Sequence, residues 1–177
     1  MSPKTPCMSI AARLEKLTPI KLKTIEISRD EAVFWLDENG SWHNADGKFR
    51  HKKIIDYFHS SIQRDQKGYH LYQAHDHYIE KVYFRYEDTA LFVFDLIIDR
   101  DITLVLNTKK RIPLEPRKLF IAGDKLYMRL NDEIIKFAEQ TLMKIASLLE
   151  EEDDGFFIRL NNKRYPIPIE NEKGEKP

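Results

Sequence analysis

A hairpin–helix–strand pattern occurs twice in this sequence, about half a chain apart, and it restricts the fold to architectures built from two matching units. The first copy runs Val33-Phe34-Trp35-Leu36, a turn at Asp37-Glu38-Asn39-Gly40, then Ser41-Trp42-His43, an apolar-striped helix, and Gly68-Tyr69-His70-Leu71. The second runs Leu119-Phe120-Ile121, a turn at Ala122-Gly123-Asp124, then Leu126-Tyr127-Met128, a second striped helix, and Gly155-Phe156-Phe157-Ile158. Trp42 matches Tyr127 at an offset of 85 residues, and Ile55, Phe58, Ile62, Gly68 and Tyr69 match Leu142, Ile145, Leu149, Gly155 and Phe156 at 87. A slip of this size between hairpin and helix is what a small loop insertion produces.

The expected fold is α+β: two related hairpin–helix–strand units with antiparallel sheets, the first extended by a β-meander. Residues 1–32 form a capped helix from Ser9 with Ile10, Leu14 and Leu17 on one face, then a lead-in strand. Residues 33–108 are the first unit, 109–117 a connection, 118–169 the second unit and 170–177 a polar tail without structure. Asn39-Gly40 predicts a type I′ turn, because both of its central residues need positive φ. Apolar spacing predicts one helix from Lys52 to Arg64, with Ile54, Ile55, Phe58 and Ile62 on its buried face, and another from Asp132 to Leu149. Between them, Val82 to Tyr86, Leu91 to Ile98 and Ile102 to Leu106 read as a meander of neighbouring strands. Asn107 to Lys118, rich in Lys, Arg and Pro, is expected to run exposed between the units. Tyr165-Pro166-Ile167-Pro168-Ile169 suits only an edge, since alternate prolines cannot join a central ladder.

Composition excludes several functions. The 29 basic residues balance 29 acidic ones, so the molecule has no overall field to steer a polyanion or an anionic membrane. The most apolar run, Leu91 to Ile98, is too short to span a bilayer as a helix. With Cys7 the sole cysteine, no intrachain disulfide can form, and no secretory signal precedes it, so a cytoplasmic location is expected. No P-loop, Cys-x-x-Cys or Gly-x-Ser-x-Gly occurs, and no catalytic residue or cofactor is assigned.

Three groups of residues could bind something. Trp42, Tyr69, Tyr72 and Tyr127 could line an aromatic cleft. His75 and His77, on one face if they lie in a strand, could hold two positions of a metal ion, with a third ligand from His43, His51 or His59. Two imidazoles are too few for a tight site, and the acidic run Glu150 to Asp154 lacks the alternation of a calcium loop, so it is read as solvated. The segment Lys109-Lys110-Arg111 with Arg117-Lys118 could track a phosphate backbone, though Glu115 interrupts it.

The Asn-Gly turn followed by Trp42, Gly47, Ile54-Ile55, Phe58, Arg64-Asp65 and Gly68-x-x-Leu71, then Glu80-Lys81-Val82 and Glu87-Asp88, resembles the bacterial domain-of-unknown-function family twelve-eighty-five. The resemblance implies a two-part α+β fold with a repeated motif, a suggested role in signal transduction, and no catalytic residues. This chain departs from the family pattern at Gln73 to Ile79, where the family has Thr-Pro before the Glu-Lys pair, so a pocket built from that segment does not carry over. The functional expectation is a non-catalytic cytoplasmic module, monomer or homodimer, that binds a protein or small-molecule partner. The alternatives are a metal protein or enzyme using His70 to His77, and a weak nucleic-acid binder through Lys109 to Lys118.

Overall fold

The computed structural model describes residues 22–153 and 155–170; the helix expected from Ser9 and the tail beyond Glu170 lie outside the described residues. Strand β1 (Lys23–Ile27) leads in. Then come β2 (Phe34–Leu36), β3 (Trp42–Asn44), β4 (Gly47–Lys48), helix α1 (Lys52–Ser60), β5 (Ile62–Asp65), β6 (Gly68–Ala74), β7 (Tyr78–Tyr83) and β8 (Arg85–Tyr86). Strands β9 (Leu91–Ile98), β10 (Ile102–Leu106) and β11 (Arg111–Pro113) follow, and a 3₁₀ turn, Pro116–Lys118, leads into β12 (Leu119–Ala122). The chain closes with β13 (Lys125–Leu130), β14 (Glu133–Phe137), α2 (Glu139–Ile145), a second 3₁₀ turn (Ala146–Leu148), β15 (Leu149–Glu152), β16 (Gly155–Leu160), β17 (Lys163–Ile167) and β18 (Ile169–Glu170).

The protein is mostly β, and the sheets are not all antiparallel as expected: β15-β16-β17 is, but the other three are mixed. Among the described residues, four parallel ladders join β1 to β7, β2 to β8, β9 to β14 and β12 to β18. The strand orders are β1-β7-β6-β5, β4-β3-β2-β8, β11-β10-β9-β14-β13-β12-β18 and β15-β16-β17. The meander β9–β11 therefore joins the sheet of β12–β14 through the register Leu91↔Ile135, Phe92↔Lys136 and Val93↔Phe137. Short loops correctly imply adjacency within the meander, but they carry no information about a partner strand over forty residues further on.

Both helices are shorter than their apolar spacing implies. Helix α1 stops at Ser60, where the Ser61 hydroxyl donates to the Tyr57 carbonyl at 2.7 Å. Ile62 then starts a hairpin with Leu71, so its place on the i, i+4, i+8 series is accidental. Ile54 points outward, 45% exposed, and Phe58 is partly buried. In the second half, Asn131 at φ 54° turns the chain back, and the stretch expected to open a helix is strand β14, paired to β13. Its run Ile134-Ile135-Lys136-Phe137 is β-branched and aromatic, which suits a strand better than a helix.

The expected exposed connection is also a structural element. Asn107, Ile112 and Leu114 are buried, and Arg111–Pro113 extends the large sheet as β11. Glu150 to Glu152, expected to be a solvated loop, lie in β15, where Arg159 and Arg164 pair with Glu150 and Arg164 also pairs with Glu152. Alternating acidic and basic partners across a hairpin make this charged run compatible with a strand.

The Asn39-Gly40 turn is not type I′: Gly40 takes φ +76°, but Asn39 does not have positive φ. Asp37 causes the difference, because its Oδ1 accepts from the amides of Asn39 (2.9 Å) and Ser41 (2.7 Å). A Cβ built on Gly40 would stand 3.0 Å from the Phe92 ring, so close packing as well as φ requires glycine here. Beside this contact lies a buried polar bridge. Asn107 Oδ1 accepts from the Phe92 amide, and its Nδ2 donates to the Ala90 carbonyl and to His59 Nδ1. Burial pushes the His59 imidazole down to about 4, against the pull of a hydrogen bond to the Gly40 carbonyl. Helix α1, the first hairpin turn and strand β9 are thus tied at one point in the core.

A candidate site where three turns meet

The sheet register brings the site together. Phe120 pairs with Tyr127, Tyr127 with Lys136 and Lys136 with Phe92, so these four side chains share one face of the large sheet. That face receives the β2–β3 turn, which arrives with Gly40 on Phe92. The β8–β9 turn is held beside it, with Glu87 N–H donating to the Leu36 carbonyl (3.0 Å) and the Thr89 hydroxyl to the Ile134 carbonyl (2.7 Å). The β12–β13 turn closes the third side. Between them opens a cleft of about 390 Å³, lined by Glu38, Glu87, Asp88, Ala122 to Lys125 and Tyr127.

Lys136 lies behind the lining of this cleft, bonded to two of the residues that form it. Its side chain is buried, its ammonium lies 3.1 Å from Asp88 Oδ2, and it donates to the Glu38 carbonyl. Burial, reinforced by the Lys125 charge, pushes it down to about 8, and the Glu38 carboxylate acts in the opposite direction. Tyr127 donates to Asp88 Oδ2 at 2.8 Å; burial and the nearby Asp124 and Glu38 carboxylates push its phenol up to about 12. Lys125 holds Glu38 at 2.6 Å, which lowers the Glu38 carboxyl and raises the Lys125 ammonium. Glu87 Oε2 accepts from the Glu38 amide, and Asp124 makes no ion pair among the described residues.

Four carboxylates therefore line the cleft against Lys125 at its rim and Lys136 behind. The excess of carboxylates gives the cleft a negative surface, of the kind that attracts a cationic group. Tyr127 holds its proton far above neutral pH, while Lys136 is lowered to about 8 and is mostly protonated at neutral pH.

The other expected residues lie elsewhere. Trp42 is 1% exposed and packs edge-on against Phe34, Phe58 and Phe84, while Tyr69 is buried and donates to Glu133 at 2.8 Å. With Tyr72 on β6, these aromatics form no common cleft with Tyr127; large rings in short hairpins fill the core. His75 and His77 occupy the bend between β6 and β7 and not a strand, so the same-face argument fails, and His75 stacks on Tyr78 at 4.4 Å. His43 pairs with Asp37, and His59 is taken by Asn107. Among the described residues, no group of three potential metal ligands converges. The Lys109–Lys118 cations disperse: Lys109 pairs with Asp56, Lys118 with Glu115, and Arg111 sits on β11. Sequence reasoning missed Glu38, Asp88, Lys125 and Lys136, because each belongs to a different turn or strand and only the tertiary fold gathers them.

Among the described residues, a mostly β arrangement with two short α-helices and mixed sheets defines the class of fold. Its structural likeness is specific: it shares the fold of a DUF1285 family protein from Silicibacter pomeroyi DSS-3, with a TM-score of 0.57 at 15% identity, covering 85% of this chain and 86% of that one. A second DUF1285 family protein, from Shewanella baltica OS155, gives a TM-score of 0.46 at 14% identity over 65% of this chain and 91% of that one. The resemblance carried by Trp42, Gly68 and Glu87-Asp88 in the sequence is thus matched by the fold of that family. No protein-family model matches the chain, and no curated protein does.

Proposed function

We propose that this protein is a non-catalytic cytoplasmic binding module, acting in signalling, that takes a small polar ligand with a cationic group in the cleft between its three turns. The observation that carries the reading is the origin of the lining: Glu38 and Asp88 come from the first half of the chain and Lys125 and Tyr127 from the second. A ligand there contacts both halves at once, which is the arrangement a sensor needs to alter how they meet.

The same proposal includes an internal duplication. What supports it is strand order. The first half contains β4-β3-β2-β8 with β8 parallel to β2, and the large sheet contains β14-β13-β12-β18 with β18 parallel to β12. Each set is interrupted after its third strand by a helix and an antiparallel triplet, β5-β6-β7 or β15-β16-β17. Chance seldom produces two such orders with the same parallel closing strand.

Thermal-shift measurements with a panel of small amines, amino acids and polyamines test the ligand reading, comparing wild type with a Glu87→Gln, Asp124→Asn double variant. At least one cationic compound should raise the wild-type midpoint and lose that effect in the variant. A panel that shifts neither protein, or shifts both alike, overturns the reading.

A further inference from the structure

A groove of about 950 Å³, larger than the cleft, runs along the β16–β17 hairpin, and it has the opposite chemistry. Its lining includes the apolar Phe156, Phe157, Tyr165 and Ile167 and the cations Arg117, Lys163 and Arg164, with no carboxylate. Arg164 lies 3.5 Å over the Phe157 ring and is matched by Glu150 and Glu152, which fixes it in place. Arg117 and Lys163 make no ion pair among the described residues. They stand on separate elements, the first 3₁₀ turn and the start of β17, and border one cavity.

The groove is open because β17 is an edge. In the sheet of β5–β7 the outer strand β7 is covered by β1, but among the described residues β17 has no such neighbour in its sheet. An added peptide strand suits this edge poorly, since Pro166 and Pro168 have no amide to donate. We propose that the groove binds a small organic anion, a carboxylate, sulfonate or phosphate ester carried on a flat apolar body. The apolar part lies on Phe156, Tyr165 and Ile167, which share one face of the hairpin, and the anionic group meets Arg117 and Lys163. The volume suits a ligand of this size. Residues 171–177 are a poor occupant, because two glutamates and two lysines leave them without net charge to match the cations.

The probe is 1-anilinonaphthalene-8-sulfonate, an anion on flat rings, compared with its uncharged relative N-phenyl-1-naphthylamine by fluorescence titration. Wild type should bind the sulfonate with one-to-one stoichiometry. An Arg117→Gln, Lys163→Gln variant should bind it about tenfold or more weakly, the scale of one lost charge-assisted contact, while binding of the neutral probe changes little. Phe156→Ala should weaken both probes. Ile54→Ser, an exposed apolar change on α1, should weaken neither. The proposal is overturned if the sulfonate fails to bind, if the charge variant binds both probes as wild type does, or if Ile54→Ser reduces binding as much as Phe156→Ala. It is also overturned if a chain ending at Glu170 binds the sulfonate tenfold more tightly, since the groove would then belong to the chain's own tail.

Discussion

Asn107 and His59, 48 residues apart, meet in the core with 3.2 Å between Nδ2 and Nδ1. Both are buried, and each bonds to the other and to the Ala90, Phe92 and Gly40 backbone.

This pair makes stability sensitive to mild acid. The His59 imidazole titrates near 4 in the folded protein and near 6.5 when unfolded, so the unfolded chain binds the extra proton between those values. Stability is fully present above about pH 6.5 and falls as pH drops toward 4, by on the order of 2–3 kcal/mol. Urea midpoints measured from pH 7 to 5, before the carboxylates titrate, should decline for wild type and stay flatter for His59→Phe. Equal slopes would place His59 in contact with solvent.

Lys136 and Asp88 should depend on each other. Lys136→Met leaves a buried carboxylate without its cation, at a cost of about 3–5 kcal/mol. Adding Asp88→Asn removes the stranded charge and should recover more than half of that loss. Chemical denaturation of the two variants checks this; a double variant as unstable as the single one would show that the ion pair is not the source of the effect.

Two glycines with positive φ separate backbone strain from packing. Gly123 at φ +62° has nothing within 4 Å of a built Cβ, so Gly123→Ala should cost about 1–2 kcal/mol for the conformation alone. Gly40→Ala adds a collision with Phe92 and should cost clearly more, about 3 kcal/mol or above. Similar losses for both would mean that the Phe92 ring moves aside freely.

The segment 107–118 tests how a charged stretch can be structural. Replacing Lys109, Lys110 and Arg111 with Gln should change stability by less than about 1 kcal/mol, because these side chains are exposed. Ile112→Ala, one residue on, should cost about 2–4 kcal/mol because its side chain packs in the core. A stability loss in the triple variant rivalling that of Ile112→Ala would assign the cations a structural role.

The sequence made some of this legible and concealed the rest for identifiable reasons. The strands from Leu91 to Leu106 were readable because β-branched and aromatic residues alternate between short turns. Strand β14 was not, because Ile134, Ala138, Leu142 and Ile145 also satisfy a helical stripe, and the Asn131 turn that breaks it was overlooked. The buried role of Asn107 was hidden by its charged neighbours: local polarity suggests a surface loop, while three distant partners satisfy its amide. The cleft was least visible of all. Tyr127 was singled out for its ring, but Lys136 reaches it across the antiparallel β13–β14 pair, and Asp88 joins them only through the parallel β9–β14 ladder.

That ladder has a consequence for synthesis. Strand β9 pairs in parallel with β14, so Leu91 waits for Ile135, 44 residues later, before its ladder is complete. At roughly 5–20 residues per second, the nascent chain holds an apolar strand with one bare edge for roughly 2–9 s. During that interval β10 can cover one side of β9 but not the other, and the Lys136 ammonium that will sit opposite Asp88 has not yet been made. The first half therefore leaves the ribosome as an unfinished sheet, and any partner that binds strand edges would meet it then.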